Sequence, residues 1–231
     1  MTHPAFQHFA TFLLAFGALF SIVNPFSSAF IFFGATLGMS DKVRDQLARW
    51  VAIYAFCIVA LSLYVGAYVL LFFGISIPVL RVAGGIIVAI AGLHMLNAPD
   101  ATEQRRSETP SHTPLMDVPP SRLAFYPLTM PLTAGPGTIS VAISLGAGRP
   151  NTVAGAIVFF AETLAAVALI ALLVYFFYRY SARLAGWIGP TGTTIIVRLS
   201  AFLLFCIGIQ VFWNGAAELL GTLSLGHPGS G

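Results

Sequence analysis

Charge is what this sequence has least of. Only 8% of its 231 residues are Asp, Glu, Lys or Arg, whereas 58% are hydrophobic. A soluble globular domain carries roughly 25% charged residues, so this chain lacks the polar groups to cover a water-facing surface. The deficit excludes an ordinary soluble enzyme or binding module and implies an integral membrane protein. Cysteine is also scarce. Cys57 and Cys206 lie in apolar runs with no CxxC partner, and they are expected as small core hydrophobes rather than redox or metal groups.

Motifs for chemistry are missing too. No metal-ligand spacing, nucleophile–base pair or phosphate-binding loop is visible, so the chain reads as a non-enzyme with no cofactor and no metal. The net charge is only +3, and no basic cluster interleaves with aromatics, which argues against nucleic acid as a partner. The N-terminus, "MTHPAFQHFATFLLAFGALF", lacks a basic n-region and an A-x-A cleavage site, so it is expected as a retained first span.

What is present is a series of long apolar runs. A bilayer core of about 30 Å takes about 20 apolar residues per helix. Six spans fit, at about 6–33, 48–73, 77–97, 122–147, 152–177 and 194–220, with tight turns at 74–76 and 148–151. The one long polar stretch, residues 98–121, reads as a cytoplasmic linker between two halves, 1–97 and 122–220, and residues 221–231 read as a flexible tail. Nine of the eleven basic residues (Lys42, Arg44, Arg49, Arg105, Arg106, Arg122, Arg179, Arg183 and Arg198) fall on one side of such a topology, against Arg81 and Arg149 on the other. The basic side is expected in the cytoplasm, with both termini periplasmic in a bacterial inner membrane.

The halves resemble each other. "RVAGGIIVAIAGLHMLN" (81–97) can be laid on "RLSAFLLFCIGIQVFWN" (198–214), with Arg first and Asn last in both, and "VNPFSSAF" on "AGPGTISV", with Pro25 against Pro136. Three spans duplicated require the second copy to be inverted, and inverted repeats with interrupted helices at matching places point to a secondary transporter's binding site. The expected fold is therefore all-α, six transmembrane helices in two inverted three-helix repeats, with the first and fourth helices discontinuous.

The interruptions carry the chemistry. Pro inside a helix removes one hydrogen bond and clashes with the carbonyl four residues back, and in lipid each orphaned group costs several kcal/mol unless protein or cavity water satisfies it. A lone Pro usually only kinks a span. Here Asn24-Pro25 has the N-cap and N1 pattern of a new helix, Gly135-Pro136-Gly137 permits non-helical backbone, and Ser27, Ser28, Thr133, Thr138 and Ser140 supply hydroxyls. Each break would expose helix-end N–H groups with partial positive charge, and free carbonyls. A zwitterion such as a small amino acid fits that pair, although a channel lining or small-ion site would use the same groups.

Other polar residues are ambiguous. Glu162 is the only acidic residue well inside a span and a candidate for proton coupling, against a structural role near the headgroups. His94 and Gln210 could line a cavity, with a packed, satisfied histidine the simpler reading of His94. Asn97 and Asn214 are expected as caps, Arg81 and Arg198 as snorkelling side chains, and Gly84, Gly85 and Gly92 as close-packing positions.

The stretches "PLTMPLTAGPGTIS" (127–140), "NP" at 24–25 followed by "FIFFGATLGMSD", and "LRVAGGIIVAIAGLHML" resemble the MarC family, whose members include small neutral amino acid transporters. The resemblance covers nearly all of the chain. It implies six spans in two inverted halves and a small amino acid held at the two discontinuities, around Asn24, Pro25, Phe26, Ser27 and Ser28 in one and Thr133, Gly135, Pro136, Gly137 and Thr138 in the other. Ser27 and Phe30 stand where the family tends to have Gly and Pro, so the first break is bulkier and more polar here. The function expected on this basis is alternating-access transport of glycine- or alanine-like solutes in the lipid bilayer, with self-association into a homo-oligomer left open. The competing readings are a channel or exporter for another small solute, and a non-transporting membrane partner.

Overall fold

The computed structural model describes residues 4–36, 38–97, 120–150 and 152–224. The linker expected at 98–121, with Arg105 and Arg106, falls almost wholly outside these residues; of the tail expected at 221–231, residues 221–224 continue the last helix and the rest lies outside. The described residues are helical, with no strand among them.

Eight helices form. They are α1 (Pro4–Val23), α2 (Pro25–Ala35), α3 (Asp41–Phe72), α4 (Ile77–Asn97), a four-residue α5 (Pro120–Leu123), α6 (Pro136–Ala147), α7 (Val153–Arg179) and α8 (Ser181–Ser224), with a wide-turn segment, Ala124–Thr133, joining α5 to α6. Five helical stretches are long and apolar enough to cross a membrane: Ala10–Ala35, Asp41–Phe72, Ile77–Asn97, Val153–Arg179 and Thr191–Gly221. The expected fourth crossing is not one of them. It consists of the wide-turn segment and the shorter apolar helix α6.

Local sequence explains most of these boundaries. Ser40 caps α3 by accepting from the Val43 N–H, with Asp41 in the first turn. At its other end Gly74 (φ 68°) turns left-handed, and the Ile75 N–H closes on the Leu70 carbonyl while the Gly74 N–H closes on Leu71. That is the glycine-terminated helix end that a residue with a Cβ would resist. Prolines set the other interruptions, because the ring disfavours the α conformation of the residue before it. Tyr126 (φ −131°, ψ 124°) precedes Pro127, Met130 (φ −106°, ψ 118°) precedes Pro131, and Gly135 (φ −75°, ψ 179°) precedes Pro136; all three are extended. Gly189 (φ 75°, ψ 172°) before Pro190 breaks α8, so the sixth span, expected to begin near 194, is preceded by a further short helical stretch beginning at Ser181.

The longest packing is α4 against α8. A Cβ added at Gly85 would meet the backbone of Gly208 and Phe212, one at Gly92 the backbone of Phe205 and Ala201, and one at Gly215 the backbone of Pro78. Rising numbers on α4 meet falling numbers on α8, so the two helices run antiparallel with backbones in contact, as small residues permit in lipid. Around them α3 packs on α6 and α7, α1 on α7, α2 on α7 and α8, and α6 on α4. Large apolar side chains such as Leu14, Leu71, Phe72 and Val153 lie on the outside, where a bilayer would cover them.

Several expectations are corrected. Cys57 and Cys206 are exposed on the apolar exterior, not in the core. His94 is exposed in the last turn of α4 rather than packed, and Gln210 is exposed and donates to the Asn214 side chain at 2.9 Å, so Asn214 serves its own helix and is no cap. Arg81 is not simply reaching for headgroups: it bonds Glu218 at 2.7 Å and Ser144 at 3.3 Å. Lys42, Arg44, Arg179 and Arg183 line one cleft at the α3 N-terminal end. Arg149 lies over Tyr68 near the other end of α3.

Candidate functional site

The first break sits inside the span Ala10–Ala35. Asn24 adopts a left-handed conformation (φ 41°, ψ 64°), the only non-glycine residue among those described to do so. Asn visits that region more readily than other residues with a side chain. Its N–H makes the last bond of α1, to Phe20 at 2.8 Å. Its side chain accepts from the Ser27 N–H at 3.4 Å and its carbonyl from the Ser28 N–H at 3.0 Å, while buried Pro25 occupies the first helical position. The Ser28 hydroxyl donates to the Val23 carbonyl at 3.0 Å, closing the end of α1. Ser27, 2% exposed, is left over: its Oγ has no hydrogen-bond partner.

The second break lies at Ala134-Gly135, before Pro136. Prolines 127 and 131 bring no N–H to the preceding turns, and threonine hydroxyls reach back five residues to fill in. Thr129 donates to the Ala124 carbonyl (2.7 Å), Thr133 to Leu128 (2.8 Å) and Thr138 to Thr133 (3.5 Å). The Ala134 N–H bonds Thr129 at the same spacing. Helix α6 then starts with no side-chain cap, because Gly135 has no side chain to offer. Its first-turn N–H groups, on Gly137 and Thr138, therefore keep the partial positive charge of a helix N-terminus. Gly137 is buried against α4, where an added Cβ would strike the Val88 side chain.

The structure brings the two breaks together at a residue the sequence reading passed over. Tyr178 on α7 is wholly buried, stacked on Phe32 of α2 with ring centroids 4.5 Å apart, and its hydroxyl lies 2.7 Å from Thr133 Oγ1. The Ser28 side chain lies close to the same hydroxyl. A cluster of hydroxyls, Ser28 bonded back to Val23 and Tyr178 bonded through Thr133 to Leu128, thus gathers between the two breaks inside an apolar core. Tyr178 continues a buried stripe on α7 through Thr163, Ala166, Val167, Ile170 and Val174. That periodicity is the signal that could have marked it out.

Of the expected residues, Ser27, Ser28, Thr133, Gly135, Gly137 and Thr138 are buried, whereas Asn24 and Phe26 are partly buried and Pro136 is exposed. Phe26 packs edge-on against Phe30 and Phe177. Glu162 is half-buried on α7, next to the buried stripe. Two clefts lie apart from the break residues: one of about 440 Å³ lined by Arg81, Ser144 and Asn214, the other of about 520 Å³ lined by Asp41, Arg44, Asp45 and Arg179. A second missed residue is Arg44, nearly buried, which holds the far end of α2 by donating to the Thr36 and Met39 carbonyls and to the Thr36 hydroxyl. A cation there complements the negative end of that half-helix. Among the described residues no group of His, Cys, Asp and Glu could hold a metal ion.

Long apolar helices, lipid-sized side chains on the outside and half-helices that end inside the bundle define an integral membrane protein. The profile of "MarC family integral membrane protein" matches residues 9–220, and the chain belongs to the MarC family. Inner membrane proteins named MarC are similar to it. The one from Salmonella arizonae is 35% identical over 213 residues, and one from Escherichia coli O1:K1 is 36% identical over 211. Each of these matches covers 88% of this chain and 93% of the relative. No solved structure matches.

Proposed function

We propose that the chain is a secondary transporter of small neutral amino acids, glycine or alanine in kind, working by alternating access in the bacterial inner membrane. One observation carries the reading: two half-helices, each begun by a proline after a capping position, meet at a buried cluster of hydroxyls. A helix interior does not need such ends, and a small zwitterion does. The two halves are read as inverted repeats. In support, α2 packs on α7 and α8 as α6 packs on α3 and α4, and α1 packs on α7 as the wide-turn segment packs on α3. The basic end is assigned to the cytoplasm and both termini to the periplasm. Glu162 is the residue proposed for proton coupling.

Most of the break residues are buried in this arrangement, with Asn24 and Phe26 partly buried and Pro136 exposed, which fits a carrier in an occluded state. The same burial is what a non-transporting membrane partner would have, and transport separates the two. Purified protein in liposomes should take up labelled glycine or alanine in a saturable way and show counterflow. Flux that does not saturate would favour a channel. Absence of both uptake and binding, with and without a proton gradient, would overturn the transporter reading.

A further inference from the structure

We propose that Tyr178 is a ligand-contacting residue of this site, and that it fixes which way round the zwitterion lies: ammonium on Tyr178 and Ser28, carboxylate on the start of α6. The assignment rests on the transporter reading and deepens it.

The argument is a count of protons. A hydroxyl has one proton to give and two lone pairs to offer. Ser28 gives its proton to the Val23 carbonyl and Thr133 gives its own to the Leu128 carbonyl. The 2.7 Å bond between Tyr178 and Thr133 is therefore donated by Tyr178. With those protons committed, the Ser28 and Tyr178 oxygens keep lone pairs as acceptors. The Ser27 hydroxyl, in the same first turn of α2, is buried with no partner at all. The first break thus offers acceptors on Ser28 and Tyr178, with the Ser27 hydroxyl free to accept or donate, and Asn24 takes up the Ser27 and Ser28 N–H groups of its helix start.

The second break is the converse. Helix α6, twelve residues long, begins without a side-chain cap, and its first N–H groups are donors. An ammonium is a group of donors with no acceptor, and a carboxylate a group of acceptors with no donor. Ammonium at the first break and carboxylate at the uncapped start of α6 is the orientation that pairs the most groups. The Thr138 hydroxyl, bonded to the Thr133 carbonyl, ties the α6 start to the residue that Tyr178 holds, so the two ends belong to one site.

The test is binding of labelled glycine to the full chain purified in detergent, wild type against Tyr178→Phe, which keeps the ring and its stacking. The expected result is a Kd raised at least tenfold with wild-type elution and melting. Competition adds the orientation: the inhibition constant of ethylamine should rise at least fivefold in Tyr178→Phe, while that of propionate stays within twofold. A glycine Kd within twofold of wild type overturns the role of Tyr178 and leaves the transporter reading standing. A larger loss for propionate than for ethylamine overturns the orientation. Wild-type protein that binds neither glycine nor alanine overturns the transporter reading, and this assignment with it. Where Tyr178→Phe gives no monodisperse protein, Ser28→Ala, at the same end of the solute, is judged by the same glycine criterion.

Discussion

The two breaks solve the same problem in different ways. At Asn24 the chain closes the break on itself: the side chain caps α2, the backbone turns left-handed, and Ser28 seals the carbonyl behind. At Gly135 the carbonyls are sealed by threonines, but nothing caps the new helix. One break leaves acceptors, the other leaves donors. A pair of identical breaks would bind a symmetric solute equally well either way round; this pair suits one with a positive and a negative end.

The comparison can be broken most completely at Gly137. A valine there would drive into Val88 and lift α6 from α4. The obstacle is a side chain rather than backbone, so we expect Gly137→Val to insert and fold but to show no uptake above background in proteoliposomes. Unaltered uptake would take the second break out of the site.

The next largest effect is at Asn24. Alanine removes the cap, worth about 1 kcal/mol, and must hold a left-handed conformation that costs an L-residue about 1 kcal/mol more. Asn24→Ala should therefore lower the melting temperature clearly, whereas Asn24→Gly, which accepts the positive φ, should cost only a few tenths of a kcal/mol. Equal losses in the two variants would show that the conformation contributes nothing.

Gly135→Ser sharpens the comparison by giving the second break the cap of the first. Gly135 has φ −75° and ψ 179°, which any residue adopts. The serine should stabilise the helix start by only a few tenths of a kcal/mol while competing for the N–H groups, so that glycine binding weakens about tenfold with melting little changed. Tighter or unchanged binding would mean that those donors do not meet the solute. The smallest effect is expected at Glu162, which belongs to neither break. Glu162→Gln should leave glycine affinity near wild type and flatten the dependence of uptake on external pH; an unchanged profile assigns Glu162 a structural role.

Much of this was legible in the order of residues. Proline acts on its immediate neighbour, so Asn24-Pro25 and Gly135-Pro136 announce their breaks locally, and the glycines at 85 and 92 announce close packing. The corrections share a cause. In lipid an apolar exterior and an apolar core have the same composition, so nothing in the sequence around Cys57, Cys206 or His94 says which side they face. Tyr178 was hidden for a related reason: in "VYFFYRY" three tyrosines near a span end look alike as interfacial anchors. Tyr175 instead bonds Asp45, and only Tyr178 turns inward.

The sequence by itself determined that the chain lives in a bilayer and that prolines interrupt it after Asn24 and Gly135, because hydropathy and proline geometry are properties of neighbouring residues. The tertiary structure decided which groups those interruptions leave unpaired and which side chain joins them. A hydrogen bond between Tyr178 and Thr133 spans 45 residues, and no local rule connects atoms that meet only when separate helices pack.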